Sequence, residues 1–279
     1  MSVVRDGRRS QLETSDSASL ARPPSGAHYN FSSFEELVEW SGMLANNPPK
    51  PPGETGMESY VVQPAQLLSV YPRAYLYPRF IDAERAQHII DLAKNRLGPS
   101  GLALKKGHTA DNTQDVRTSS GTFLSGSSDP EGVLSWLEHK IALVTGIPAA
   151  YGEPFNVLRY DVGQHYDSHL DAFAEQDYGK QYSQRILTLL IYLNDVEEGG
   201  ETVFLLEGKN GTARERGINY KSCSMGVKIK PRMGDVLLFW SANPDGSLDR
   251  HALHGGCPVL KGQKWVATKW IRNKCFGAC

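Results

Sequence analysis

The stretch with the most chemical content is Tyr160-Asp161-Val162-Gly163-Gln164-His165-Tyr166-Asp167-Ser168-His169-Leu170-Asp171. In an extended chain, residues two apart point to the same side, so His169 and Asp171 can share one metal ion. A third ligand has to come from elsewhere. His254, in His254-Gly255-Gly256-Cys257-Pro258-Val259, is the candidate, because its surroundings read as a strand. His251 competes with it but stands between Arg250 and Ala252 in a predicted loop. Two histidines and one carboxylate on one face of an octahedron leave three positions open, the arrangement of non-haem Fe(II) oxygenases. Taken alone, a His-X-Asp pair is more often a surface histidine and aspartate at a strand end.

A second metal chemistry competes for the same residues. His165 and His169 are four apart, the spacing of the helical zinc pair of metalloproteases. That motif places Glu directly after the first histidine, and here Tyr166 follows. Gly163 and the alternating polarity also oppose a helix, so His165 reads as solvent-facing or as a neighbour of the ligands.

These residues need a scaffold of short strands. Beyond Glu153 the pattern predicts strands over Phe155–Tyr160, Arg185–Tyr192, Thr202–Leu206, Val227–Ile229, Asp235–Trp240 and Lys264–Ile271, punctuated by Gly, Asn and Pro. Upstream, Leu67–Phe80 reads as strands, and Asp82 then caps a helix with Ala86, Ile89, Ile90, Ala93 and Leu97 on one face. Gly98–Asp115 lacks periodicity and predicts a long loop, which inside a compact domain is usually functional or mobile. A second helix is predicted from Asp129-Pro130, carrying Val133, Trp136, Leu137, Ile141 and Val144 and ending at Gly146 and Pro148. Helices first and many short strands after them predict a mixed, mainly β fold: a sandwich or jelly roll buttressed by N-terminal helices.

Residues 1–30 are rich in Ser and Arg, with too few large apolar groups to offset their ordering entropy. Ser33 and Glu36 form a capping box for a short helix with Phe34, Leu37, Val38 and Leu44. Asn46-Asn47-Pro48-Pro49-Lys50-Pro51-Pro52-Gly53 then predicts a stiff polyproline II linker. The expected organisation is a disordered or linker segment with one short helix over 1–60, a folded domain over 61–274 and a short Cys-containing tail over 275–279.

Composition narrows the function classes. The 279 residues are 40% hydrophobic and 22% charged, ordinary for a soluble globular protein. Thirty basic against 31 acidic side chains leave a net charge of -1, which argues against sequence-independent nucleic-acid binding. The longest nearly unbroken apolar run, Ile186–Leu193, is far short of the ~18 residues of a membrane helix. Met1–Ser10 is polar with three arginines and does not read as a signal sequence. Four cysteines, at 223, 257, 275 and 279, show no zinc-finger spacing and allow three disulfide pairings. Their even count, with the sequons Asn30-Phe31-Ser32 and Asn210-Gly211-Thr212, favours a secretory lumen over the cytosol.

Several motifs in order carry a family resemblance. Tyr160–Asp171, Arg117-Thr118-Ser119-Ser120-Gly121, Gln184-Arg185-Ile186-Leu187-Thr188, Gly199-Gly200-Glu201-Thr202, His254–Val259, Gly262-Gln263-Lys264-Trp265 and Lys269-Trp270-Ile271 together resemble the prolyl 4-hydroxylases, most closely those of plants and green algae. The resemblance runs from Pro72 to Ile271. It implies an iron(II)/2-oxoglutarate dioxygenase with a double-stranded β-helix (jelly-roll) core. His169, Asp171 and His254 match the iron ligands. Lys264 matches the cation for the distal carboxylate of 2-oxoglutarate, ten residues past His254 on what is expected to be the next strand. Tyr160 and Thr202 match its accompanying hydroxyl donors, and Glu153, Tyr166, Arg185 and Trp270 match the peptide groove, with Arg185 close to the reacting proline. The loop Leu104–Val116 resembles the flap over the peptide, while Arg272 stands where the resemblance leads one to expect histidine. In that fold Cys223 and Cys257 flank the barrel and are expected to pair, pinning the loop before Met225 beside the strand of His254 and leaving Cys275 and Cys279 to each other or to a further segment.

The resemblance further implies a procollagen-proline 4-dioxygenase-like reaction. O2 and 2-oxoglutarate are consumed at Fe(II), succinate and CO2 are released, and peptidyl proline in proline-rich proteins gains a hydroxyl at C4, with L-ascorbate protecting the iron. It also implies the endoplasmic reticulum. The alternatives are an oxygenase of the same fold acting on lysine or a small molecule, and a non-catalytic module that binds proline-rich peptides through Tyr166 and Trp270. Asp171 opposes a halogenase, which needs the carboxylate's coordination site for halide.

Overall fold

Strands buried on both faces fold the chain into two facing sheets with helices outside the larger one. The computed structural model describes residues 64–109, 113–207, 218–243 and 245–277. The chain divides between Val62 and Gln63, and the unit that carries the site is Gln63–Cys279. The short helix over 33–44 and the polyproline linker expected upstream lie outside the described residues.

A hairpin of β1 (Gln66–Ser69) and β2 (Ala74–Tyr77) leads into α1 (Ala83–Ala93), whose first turn is capped by Asp82 accepting from the Arg85 N–H. The long loop predicted from residue 98 opens with a short strand, β3 (Gly98–Pro99), and is followed by β4 (Ser120–Leu124). The pattern missed β4 because Ser120-Gly121-Thr122 are small and half-buried, with no alternation to read. Helix α2 (Val133–Thr145) begins later than the Asp129-Pro130 signal, because Gly132 (φ 78°) turns the chain first and Asp129 caps from outside, accepting from the Glu131 and Leu134 N–H groups. It ends at Gly146, whose φ of 69° a side chain would resist.

The remaining elements are β5 (Phe155–Tyr160), β6 (Tyr166–His169), one turn of helix α3 (Glu175–Tyr178), β7 (Arg185–Tyr192), β8 (Glu198–Gly199), β9 (Thr202–Phe204), β10 (Val227–Ile229), β11 (Val236–Trp240), β12 (His254–Gly256), β13 (Val259–Lys261) and β14 (Lys264–Arg272). The large sheet runs β1-β2-β11-β7-β14-β5-β4-β3, the small one β10-β9-β12-β6, and β13 pairs with β8. All of these pairings are antiparallel.

The two-residue period decides what faces what. Leu187, Leu189 and Ile191 of β7 and Trp265, Ala267 and Ile271 of β14 pack with Ile89 of α1 and Leu137 and Ile141 of α2. The alternate face, with Leu158, Tyr160, Tyr192 and Val266, meets Phe204 and Ile229 of the small sheet. That closure makes the jelly roll, and its inner face carries the chemistry. No helix among the described residues is long and apolar enough to cross a membrane.

Candidate active site

Strand pairing assembles the metal ligands. β12 runs antiparallel to β6 with His254 directly opposite His169, and Asp171 follows two residues after His169. The Nε2 atoms of His169 and His254 lie 3.4 and 3.6 Å from the two carboxylate oxygens of Asp171. One ligand atom from each of the three residues lies within 4.8 Å of the others, the one such group among the described residues. Both Nδ1 atoms are committed elsewhere: His169 donates to the Asp167 carbonyl at 2.9 Å and His254 to the Ala252 carbonyl at 2.8 Å. The Nε2 lone pairs are thereby left facing the common point, the orientation a metal needs. From the facing sheet, Thr188 Oγ1 donates to Asp171 Oδ2 at 2.7 Å. The donor set fits iron(II).

Electrostatics agree with that fit. Burial penalises the Asp171 charge, but His254 and His169 outweigh it and hold the carboxyl well below the usual range. Burial pushes the His254 imidazole down to about 4, so it stays neutral and able to ligate.

The competing histidines go elsewhere. His251 sits in a turn over Arg250–Ala252 with its ring on Asp249, 3.2 Å away. His165 lies 3.1 Å from the Asp115 carbonyl and 3.3 Å from Asp167. β6 is extended, so His165 and His169 do not share a helix face and the zinc-protease arrangement is absent.

Lys264 opens β14 opposite Tyr160 of β5 and is 4% exposed. It therefore reaches in from the large sheet rather than from the strand after His254, because β13 intervenes. Its Nζ donates to the Gly200 carbonyl at 2.7 Å and lies 5.6 and 5.8 Å from the Tyr160 and Tyr192 rings. Burial pushes its pKa down to about 8. The Tyr192 hydroxyl is hydrogen-bonded to Thr202 Oγ1 at 2.8 Å. Tyr192 and Thr188 escaped the sequence reading because each sits in an apolar strand run and looks like ordinary core. One cavity is lined by Tyr160, Thr202 and Lys264 together with His169, Asp171 and His254.

Of the expected groove residues, Tyr166 and Trp270 line the same cavity, while Glu153 and Arg185 stand behind Trp270 and do not. Tyr166 stacks on His169 with ring centroids 3.7 Å apart, and burial raises its pKa, keeping the hydroxyl protonated. Arg185 forms a bidentate pair with Glu153, at 2.6 and 2.7 Å, and lies 3.6 Å from the centroid of Trp270. Trp270 lines the cavity, and its Nε1–H has no acceptor among the described residues. The Leu104–Val116 loop is tied to α3 where the Lys106 N–H meets the Asp177 carbonyl at 2.8 Å. A disulfide joins Cys223 to Cys257, one residue past β12, and Cys275 is disulfide-bonded as well.

A jelly roll with this triad and a buried lysine in one cavity defines a 2-oxoglutarate- and Fe(II)-dependent oxygenase. Residues 155–272 match the 2OG-Fe(II) oxygenase superfamily. Probable prolyl 4-hydroxylase 9 of Arabidopsis thaliana is 55% identical over 224 residues, 80% of this chain and 77% of that protein. Prolyl 4-hydroxylase 13 of the same plant is 48% identical over 210 residues, 75% of this chain and 74% of its own. Among solved structures, the viral collagen prolyl hydroxylase vCPH of Paramecium Bursaria Chlorella virus-1, as its 2OG complex, aligns with a TM-score of 0.51 and 26% identity over 71% of this chain and 95% of that one. The chain belongs to the prolyl 4-hydroxylase family.

Proposed function

We propose that this enzyme hydroxylates C4 of proline within proline-rich peptides. The observation that carries the reading is a triad of His169, Asp171 and His254 sharing one cavity with buried Lys264 and with Trp270, whose indole N–H has no acceptor among the described residues. Iron held by His169, Asp171 and His254 would supply the oxidising chemistry, with one atom of O2 going to succinate, formed with CO2 from 2-oxoglutarate, and the other to the new hydroxyl. Lys264 would hold the distal carboxylate of the cosubstrate, with Tyr160 and Thr202 beside it, since a buried ammonium whose hydrogen-bond partner among the described residues is a carbonyl suits an incoming anion. Tyr166, Arg185 and Trp270 would hold the peptide. A polyproline II ligand loses little entropy on binding, and its exposed carbonyls need donors of the kind that the Trp270 Nε1–H offers.

L-Ascorbate is expected to sustain turnover by keeping the iron reduced, and the endoplasmic reticulum is the expected compartment. The Cys223–Cys257 disulfide supports an oxidising lumen. The test is mass spectrometry of a proline-rich peptide incubated with enzyme, Fe(II), 2-oxoglutarate and ascorbate, alongside a lysine-containing peptide and free amino acids. Oxygen on peptidyl proline, with matching succinate release and a rate that falls without ascorbate, is the expected result. Oxygen found on lysine or free amino acids alone would overturn the substrate and keep the oxygenase. Peptide binding without succinate would leave a binding module.

A further inference from the structure

Cross-strand register sets Arg272 of β14 opposite Arg185 of β7, after a shift in the ladder at Ile271. Like charges in that position repel. Glu153 lies between them, its Oε1 accepting from Arg185 Nε at 2.6 Å and from Arg272 Nε at 2.8 Å. Its Oε2 takes Arg185 Nη2 at 2.7 Å. Arg272 Nη1 is used on Ser183, 2.6 Å from the carbonyl and 3.1 Å from the hydroxyl. Arg185 Nη1 and Arg272 Nη2 remain without an acceptor among the described residues.

One carboxylate between two guanidiniums leaves one positive charge in excess. Of the nearby carboxylates, Glu138 is taken by Lys269 at 2.7 Å, and Asp171, which also feels the Arg185 charge, is committed to the metal triad. Both guanidinium side chains are largely enclosed, at 14% and 13% exposure. Aromatic faces hold them in place: Arg185 lies 3.6 Å from the centroid of Trp270 and 4.9 Å from that of Phe173, and Arg272 lies 5.7 Å from Phe173. Trp270 also lines the cavity of the triad and Lys264, so Arg185, on its ring, is separated from that cavity by the thickness of one indole.

We propose that Arg185 and Arg272 form a carboxylate subsite beside the reacting position. It takes an acidic side chain adjacent to the target proline or the peptide's own C-terminal carboxylate. A fixed, desolvated guanidinium pair with free N–H groups matches a planar carboxylate better than any neutral ligand. An anion also relieves the uncompensated enclosed charge. The inference rests on the peptidyl-proline reading above and adds to it a preference among peptides.

The experiment compares three versions of one proline-rich peptide. The first carries Glu next to the target proline and an amidated C-terminus. The second carries Gln there and is amidated, and the third carries Gln and ends in a free carboxylate just after the target. One of the two charged peptides is expected to show a KM about five- to tenfold below that of the neutral one, at similar kcat, and which one does so identifies the source of the carboxylate. The ratio should fall towards one in Arg272→Gln and be only partly kept in Arg272→Lys, which retains the charge but not the planar fork, with melting curves confirming that both fold. Equal KM values for all three in the unaltered enzyme, with proline oxidised, would overturn the subsite and leave the reaction standing. A preference that survives in folded Arg272→Gln also overturns it. Proline oxidised in none of the peptides removes the reaction, and the subsite with it.

Discussion

The Asp171 carboxylate is buried between two histidine rings, and Thr188 donates to one of its oxygens from the facing sheet. Asp171→Ala or His169→Ala removes one of three protein ligands, so turnover should be lost and iron binding sharply weakened. Thr188→Val keeps the ligand but frees its orientation. Iron titration should then show affinity about 10- to 100-fold lower, the usual range for an outer partner of a ligand, and unchanged affinity would mean that packing alone aims the carboxylate. Lys264 makes a second prediction at this scale. Its pKa of about 8 in the free enzyme rises when a carboxylate binds, since the anion favours the ammonium. Affinity for 2-oxoglutarate should therefore be full below about pH 8 and fall by up to about tenfold per pH unit above it. In Lys264→Ala that dependence should vanish, with KM for 2-oxoglutarate raised at least about a hundredfold, because breaking such a pair typically costs ~3–5 kcal/mol. A flat profile in the unaltered enzyme would assign the cosubstrate to another cation.

At the scale of elements, the site depends on how closely β12 approaches β6. A Cβ on Gly255 would lie 2.7 Å from Ser168 Oγ and 3.1 Å from the backbone Ser168 N and Tyr166 O. Backbone atoms cannot yield as a flexible side chain can, so Gly255→Ala should push β12 away and move His254 relative to His169. The expected result is iron affinity about tenfold or more weaker with the fold intact, since the effect of an outer partner on ligand aim is of that size. Circular dichroism and iron titration on the same samples check both halves. Gly256 offers the contrast, because its Cβ would meet nothing closer than 3.8 Å. Gly256→Ala should bind iron far better than Gly255→Ala, and equal losses would mean that the pairing distance is not what matters.

For the whole molecule, the Cys223–Cys257 bond links a loop to the strand that carries His254 across a sequence separation of 34 residues. Closing a loop of that length stabilises the fold by ~3–4 kcal/mol in the chain-entropy treatment. Reduction, or Cys223→Ser with Cys257→Ser, should lower Tm by several degrees, about 2–4 °C per kcal/mol for a domain of this size. An unchanged Tm would show the small sheet to be held by its apolar contacts alone.

Much of this protein was legible along the chain because the information is local. Asp82 capping α1, Gly146 ending α2 and the short apolar runs of β5, β7 and β14 are set by backbone sterics, hydrogen-bonding needs and the burial of both strand faces. The His169-X-Asp171 spacing likewise marked a metal pair from two residues' positions on one strand. Other facts come only from pairing between distant strands. The strand-like surroundings of His254 already favoured it over His251, but that it stands directly opposite His169 is decided by the register of β12 against β6. Lys264 enters from the large sheet, with Tyr192 behind Thr202 and Thr188 behind Asp171, because residues far apart in sequence face one another once the two sheets close. Arg185 and Arg272 share Glu153 for the same reason: a shifted ladder sets them opposite each other, and the charge balance at that point is a property of the fold, not of any segment.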